Sequence, residues 1–368
     1  MTEDEPMRLD PARRCLARLR HPLGWLLLAL GVAVCPQHSL AANASASNLR
    51  NDVVFDRYTP LSESVELARR LLTPLSFQYV QRSLAKREEA LRAQPIDLAH
   101  EKFAVYVPTG EPPPQGYGLL VFVPPWPTAG LPEGWVGPLN RHGLIYVSAA
   151  NSGNDANVID RRIPLALLAY ENIRQRFRID PTRVYVGGLS GGARVALRIA
   201  LAYPDVFRGV LLNAGSDPIG DLPDVLPPAD LFASFQASSR VVYLTGGRDT
   251  ANLQKDLRSR QSLQDWCVFD VQTDASPWQG HEVANAATFG HALDALGQHQ
   301  PADAGRLASC RARVDRELSS SLADAEAAIA RGDLEGVRKR MDTIDQRYAG
   351  LAAAGLLKLQ SALQRLQR

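Results

Sequence analysis

From about His100 onward, short apolar runs alternate with longer amphipathic ones, and that alternation leaves few folds open. The apolar runs are 103–107 (FAVYV), 118–123 (GLLVFV), 144–148 (LIYVS), 183–187 (RVYVG), 209–213 (GVLLN), 240–245 (RVVYLT) and 267–271 (CVFDV). Each has the length of a strand. The middle runs are apolar at nearly every position, as strands covered on both faces must be. Helical spacing occupies the intervals at 164–177, 192–203 and 250–266. Pro164 suits a first helical turn, and Pro204 stops the helix before it. The pattern predicts an α/β fold built on a mostly parallel, twisted sheet flanked by helices.

The flanks follow other rules. Arg8, Arg13, Arg14, Arg18 and Arg20 precede a twelve-residue apolar run, 23–34 (LGWLLLALGVAV), and small residues follow at 38–42 (HSLAA). That order reads as a secretory signal peptide over 1–42, cleaved near Ala41 or Ala42. The run is short for a membrane span, which needs roughly twenty residues. An uncleaved anchor is the alternative. The expected location is therefore secreted or periplasmic. Residues 43–52 are small and polar and read as a linker. Residues 53–99 read as an N-terminal helical extension, with helices near 62–72 and 75–91.

Residues 100–300 hold the strand–helix pattern, and 301–368 form a C-terminal helical region. There Leu334, Val337, Met341, Ile344, Tyr348 and Leu351 recur at spacings of three and four, which is one apolar face of a helix. A helical hairpin folded onto the main domain is the favoured reading. An oligomer or partner surface is the other. Cys15 and Cys35 fall in the export segment, whereas Cys267 and Cys310 remain beyond it. In an oxidising compartment the latter two are candidates for a disulfide, with two buried thiols as the alternative.

The chemistry concentrates at Gly188-Leu189-Ser190-Gly191-Gly192, which follows the run 183–187 and opens the helical segment 192–203. A serine on a sharp strand-to-helix turn is pushed out at the sheet's C-terminal edge. Its glycine neighbours let strand and helix pass closely. The helix N-terminus beneath it favours a developing negative charge. Ser190 is therefore the candidate nucleophile.

A serine hydroxyl needs a base and an orienting acid. His281, His291 and His299 are the histidines that follow Ser190. His281 stands in a loop after the last strand, where it can reach over the strand ends, and is the candidate general base. His291 falls in a helical segment and His299 in a polar run. Asp249, just past the run 240–245 and a Gly246-Gly247 turn, is the preferred acid. Asp217, after the run 209–213, is its rival. A tetrahedral intermediate also needs backbone donors. Gly191 N–H is one. The loop after 118–123 reads Pro124-Pro125-Trp126-Pro127, so Trp126 is its sole N–H donor.

These residues resemble a known group. Gly188–Gly192, Asp249, Gly280-His281-Glu282 and above all 180–192 (DPTRVYVGGLSGG) are similar to the α/β-hydrolase superfamily. The likeness is to the secreted esterases around polyhydroxybutyrate depolymerases and feruloyl esterases. The resemblance covers about residues 100–298. It implies the α/β-hydrolase fold and ester hydrolysis through an acyl-enzyme, without metal or organic cofactor. Relatives commonly carry His-Gly where this chain has Pro124-Pro125. A serine peptidase of the same fold, or a non-catalytic binding or scaffold protein of the cell envelope, are the other readings. The expected partner is an ester, small or polymeric.

Other chemistries fit poorly. His281-Glu282-Val283-Ala284-Asn285 has Asn285 where a zinc-protease helix needs its second histidine. Gly188–Gly192 lacks the lysine and spacing of a phosphate-binding loop. A formal charge of +2 is too small to point to nucleic acid or to an anionic membrane, so any membrane contact is assigned to the signal segment alone.

Overall fold

A computed structural model describes residues 48–366. The expected signal peptide, Cys15, Cys35 and most of the linker lie outside the described residues. Eight strands form one sheet in the order β1-β2-β4-β3-β5-β6-β7-β8. They are β1 (Leu49–Val53), β2 (Phe103–Tyr106), β3 (Tyr117–Val123), β4 (Leu144–Ala149), β5 (Ile179–Leu189), β6 (Gly209–Asn213), β7 (Arg240–Leu244) and β8 (Val271–Asp274). β1 and β2 pair antiparallel at one end. Every pairing from β4 through β8 is parallel.

The apolar runs are buried on both faces because the pleat sends alternate residues opposite ways. Leu119, Val121 and Val123 of β3 join one core, and Leu120 and Phe122 join the other. β5 divides likewise, with Val184 and Val186 on the first face and Tyr185 and Leu189 on the second. The first face is covered by α4 (Ile163–Arg176) and α5 (Gly191–Ala202). The second is covered by α3 (Val136–His142) and α8 (Ala286–Gly297). There Trp135 stacks on Phe289 with ring centroids 3.7 Å apart and donates its indole N–H to Ala284 O. This is the three-layer α/β-hydrolase fold.

The helical flanks form as expected but with shifted ends. Before the sheet come α1 (Ser64–Leu71) and α2 (Pro74–Lys86), the second capped by the Thr73 hydroxyl. Between β6 and β8 lie α6 (Ala229–Ser238) and α7 (Thr250–Asp265). After the sheet come α9 (Ala304–Ala330), α10 (Leu334–Tyr348) and α11 (Ala353–Leu366). The apolar stripe of α10 packs into the domain's own core, with Val337, Met341, Ile344 and Tyr348 buried. Tyr348 meets Trp266 edge to face, and Gly350 N–H donates to Leu226 O. A shared core therefore accounts for this stripe. No described helix is long and apolar enough to cross a membrane.

Three differences from the sequence reading have local causes. Residues 49–52, assigned to a linker, and Val53, assigned to the helical extension, form edge strand β1. Polar residues are tolerated there because one side of the strand faces solvent. Strand β8 starts at Val271 rather than at Cys267, because Cys267 and Val268 close α7 instead. Their N–H groups donate to Gln264 O and Leu263 O, a Schellman closure with Cys267 at φ +65°. α3 and α6 escaped prediction, since seven-residue and ten-residue helices show too little periodicity to read.

Cys267 and Cys310 are joined by a disulfide that closes a loop of 43 residues. It ties the end of α7 to α9 and removes freedom from the unfolded chain. Replacing Cys310 with Ser should lower unfolding free energy by about 2–4 kcal/mol. Urea denaturation of both proteins without reductant tests this, and coincident midpoints would contradict it.

Candidate functional site

β5 ends at Leu189, and α5 begins at Gly191, so Ser190 alone makes the turn. Its backbone sits at φ +56°, ψ −120°, a region that L-residues rarely adopt. Two features hold it there. Ser190 N–H donates to Asn213 O at 2.8 Å. A Cβ at Gly192 would overlap the Val123 carbonyl, and one at Gly188 would overlap Gly192, so strand and helix touch only because both lack one.

Asp249 caps α7, accepting from Asn252 N–H at 3.3 Å. It reaches the same place from the end of β7. His281 comes from the loop after β8. Asp249 Oδ2 and His281 Nδ1 lie 2.6 Å apart, and His281 Nε2 lies 2.9 Å from Ser190 Oγ. With the carboxylate as acceptor, Nδ1 carries the ring proton and Nε2 keeps its lone pair toward the hydroxyl. Asn252 Nδ2 also donates to Asp249 Oδ2, at 2.8 Å. It lies 3.0 Å from Nδ1, but both are donors in this tautomer, so the carboxylate is their shared acceptor. Burial pushes the Asp249 carboxyl up, but hydrogen bonds from His281 and Asn252 outweigh it and hold it below the usual carboxylate range. Asp249 is buried, whereas the His281 side chain is 46% exposed, so the imidazole lies at an open rim.

The other expected residues are placed as follows. Asp217 faces Arg194 at 3.3 Å. Arg194 Nη2 in turn reaches Asn252 Oδ1 at 3.5 Å, which favours the amide orientation that turns Nδ2 to Asp249. His291 lies near Asp274 and His299 near Asp270, at 3.5 and 2.7 Å. Gly191 is the first residue of α5, where the N–H has no intrahelical acceptor. Trp126 is half-buried in the loop after β3, packed at the edge of the second core. Among the described residues, no group of three His, Cys, Asp or Glu side chains could hold a metal ion.

Two residues missed in the sequence organise this site. Asn213 ends β6 with its side chain buried. Its Nδ2 donates to Leu244 O at 2.8 Å and to Glu282 O at 3.2 Å, and its Oδ1 accepts from Ala284 N–H at 2.9 Å. It therefore pins the loop that carries His281, while its own carbonyl holds Ser190. The signal was present: Asn213 is the lone polar residue of an otherwise apolar run. Asp256 of α7 accepts from the Ser216 and Thr245 hydroxyls at 2.6 Å each, tying the ends of β6 and β7 together.

No protein-family model matches the chain. A 45-residue stretch is 49% identical to a poly(3-hydroxyalkanoate) depolymerase C of Paucimonas lemoignei, covering 12% of this chain and 11% of the depolymerase. A 43-residue stretch is 42% identical to a poly(3-hydroxybutyrate) depolymerase of Ralstonia pickettii, covering 12% and 9%. Each match thus spans about a tenth of the relative's length.

Among solved structures, a poly(3-hydroxybutyrate) depolymerase from Bordetella parapertussis superposes with a TM-score of 0.39 at 19% identity. It covers 57% of this chain and 88% of its own. An S-formylglutathione hydrolase from Staphylococcus aureus gives 0.40 at 14%, covering 54% and 93%. Est1E from Butyrivibrio proteoclasticus gives 0.40 at 12%, covering 55% and 98%. The strand order and the strand-to-helix turn at Ser190 make this chain, on its own geometry, an α/β hydrolase by fold.

Proposed function

We propose that this chain is an exported serine hydrolase that cleaves carboxylic esters through an acyl-enzyme. One observation carries the reading. A hydroxyl, an imidazole and a carboxylate from three separate loops fall in one hydrogen-bonded line, with the hydroxyl on a strained turn at a helix N-terminus.

The chemistry follows from that line. As Ser190 Oγ bonds to the ester carbonyl carbon, its proton passes to His281 Nε2. Asp249 stabilises the imidazolium and keeps its tautomer. The carbonyl oxygen takes up negative charge near Gly191 N–H, with Trp126 N–H the second donor offered by the opposite loop. When the C–O bond breaks, His281 returns the proton to the departing alcohol. Water then repeats the sequence on the acyl-enzyme, releasing the acid and restoring Ser190.

The substrate class is read from the rim. His281 is half-exposed, and Trp278, three residues before it, is 76% exposed with the Arg248 guanidinium 5.6 Å from its ring centroid. An open edge of this kind suits an ester that is not swallowed whole, including a polyester chain. The local depolymerase identity supports the same class. Export is supported by the basic, apolar and small-residue order of the first 42 residues and by the disulfide, which persists in oxidising compartments. The competing reading, a non-catalytic binding protein, is motivated by Pro124-Pro125 in the loop that should supply an amide donor.

A fluorophosphonate probe should label the protein at Ser190, and Ser190→Ala should abolish both labelling and hydrolysis of short acyl esters. Turnover unchanged in that variant rejects the reading. Asp249→Asn should preserve the fold and lower kcat by about 10⁴, because the imidazole then presents the wrong tautomer to the hydroxyl. Steady-state kinetics on a p-nitrophenyl ester measures that loss.

A further inference from the structure

The loop after β3 carries three prolines in four residues, and none of them has an N–H to offer. The three proline carbonyls are all engaged by one neighbouring segment, 151–162. Arg162 Nη2 donates to Pro124 O at 3.0 Å, Asn154 N–H to Pro125 O at 3.0 Å, and Asn151 N–H to Pro127 O at 2.6 Å. Arg162 is buried and donates its Nε to Ser152 O at 2.9 Å. Burial, with Arg198 nearby, pushes its guanidinium down to about 10, which leaves it charged at neutral pH. Segment 151–162 is thus clamped along the proline loop.

The same segment brings a polar side chain to the nucleophile's neighbour. The Asn154 carboxamide lies against Gly191, and its Oδ1 and Nδ2 occupy the space a Cβ there would enter. Asn154 is exposed, and no hydrogen bond among the described residues engages its carboxamide. A half-turn about its last side-chain bond exchanges the amide oxygen and nitrogen at nearly the same positions. A carboxamide with no hydrogen-bond partner among the described residues therefore lies against Gly191, the first residue of α5, beside a loop depleted of donors.

We propose that the Asn154 carboxamide donates a hydrogen bond to the substrate oxygen that becomes negative, beside Gly191 N–H and Trp126 N–H. It supplies what Pro124 and Pro125 lack. The inference rests on the serine-hydrolase reading. A donor aimed at developing charge strengthens in the transition state, so it acts on kcat more than on KM. Its backbone N–H, which holds Pro125 O, survives any substitution at this position except proline. Side-chain variants therefore leave the clamp in place.

The test compares wild type, Asn154→Ala and Asn154→Asp as full chains, in kcat and KM on a p-nitrophenyl ester, labelling rate by a fluorophosphonate, and melting temperature. In the Ala variant kcat and labelling rate should fall by about 10²-fold with KM nearly unchanged. The Asp variant, isosteric but acceptor-only, should fall further because it repels the forming oxyanion. Equal losses in Ala and Asp that track a lowered melting temperature would mark a structural role and overturn the proposal. So would an Ala variant within twofold of wild type while wild type is labelled and active. A wild type that is neither labelled nor active removes the hydrolase reading itself, and this inference with it.

Discussion

The rest of the site depends on the backbone of Ser190. At φ +56° it turns the chain from β5 into α5 within a single residue. That conformation persists only because its surroundings over-determine it. Gly188 and Gly192 let strand and helix make contact, and Asn213 O takes the Ser190 N–H. The hydroxyl is thereby lifted off the sheet edge at a fixed height, at the N-terminus of a buried helix whose orphan N–H groups point the same way. Relaxing the turn would lose the height and the donors together.

Around that turn the polar side chains act as braces. Asn213 links the serine backbone to the histidine loop, Asn252 links the acid to Arg194, and Asp256 joins the ends of β6 and β7. Each is buried, and each bonds to at least one element other than its own. Buried polar groups of this kind are costly unless they are satisfied, so they hold loop positions that apolar packing would leave loose. The rigidity of the site thus comes from loop-to-loop bonds laid over an apolar sheet.

The C-terminal helices add a different kind of support. Their apolar faces share the first core, and the disulfide fastens α9 to the end of α7. Since Asp249 caps the start of α7 and Cys267 closes its end, the helix beside the acid is held at both ends. One stretch of sequence, CVFDV, misled for this reason. Its first two residues are apolar because they plug a helix end and carry a disulfide, which local periodicity does not distinguish from a strand.

What the sequence determined by itself was local. Alternating apolar runs specified a mostly parallel sheet with covered faces, because side-chain period and burial are written residue by residue. Glycines around Ser190 specified a tight strand-to-helix turn, because only a missing Cβ permits that approach. Tertiary structure alone decided which distant groups meet. It brought His281 to a serine 91 positions earlier, paired Asp249 with His281 while Asp217 met Arg194, drew residues 49–53 into an edge strand, and set Asn154 over Gly191. Such meetings follow from strand order and loop packing. Those are sums over the whole core, and no short window of residues contains them.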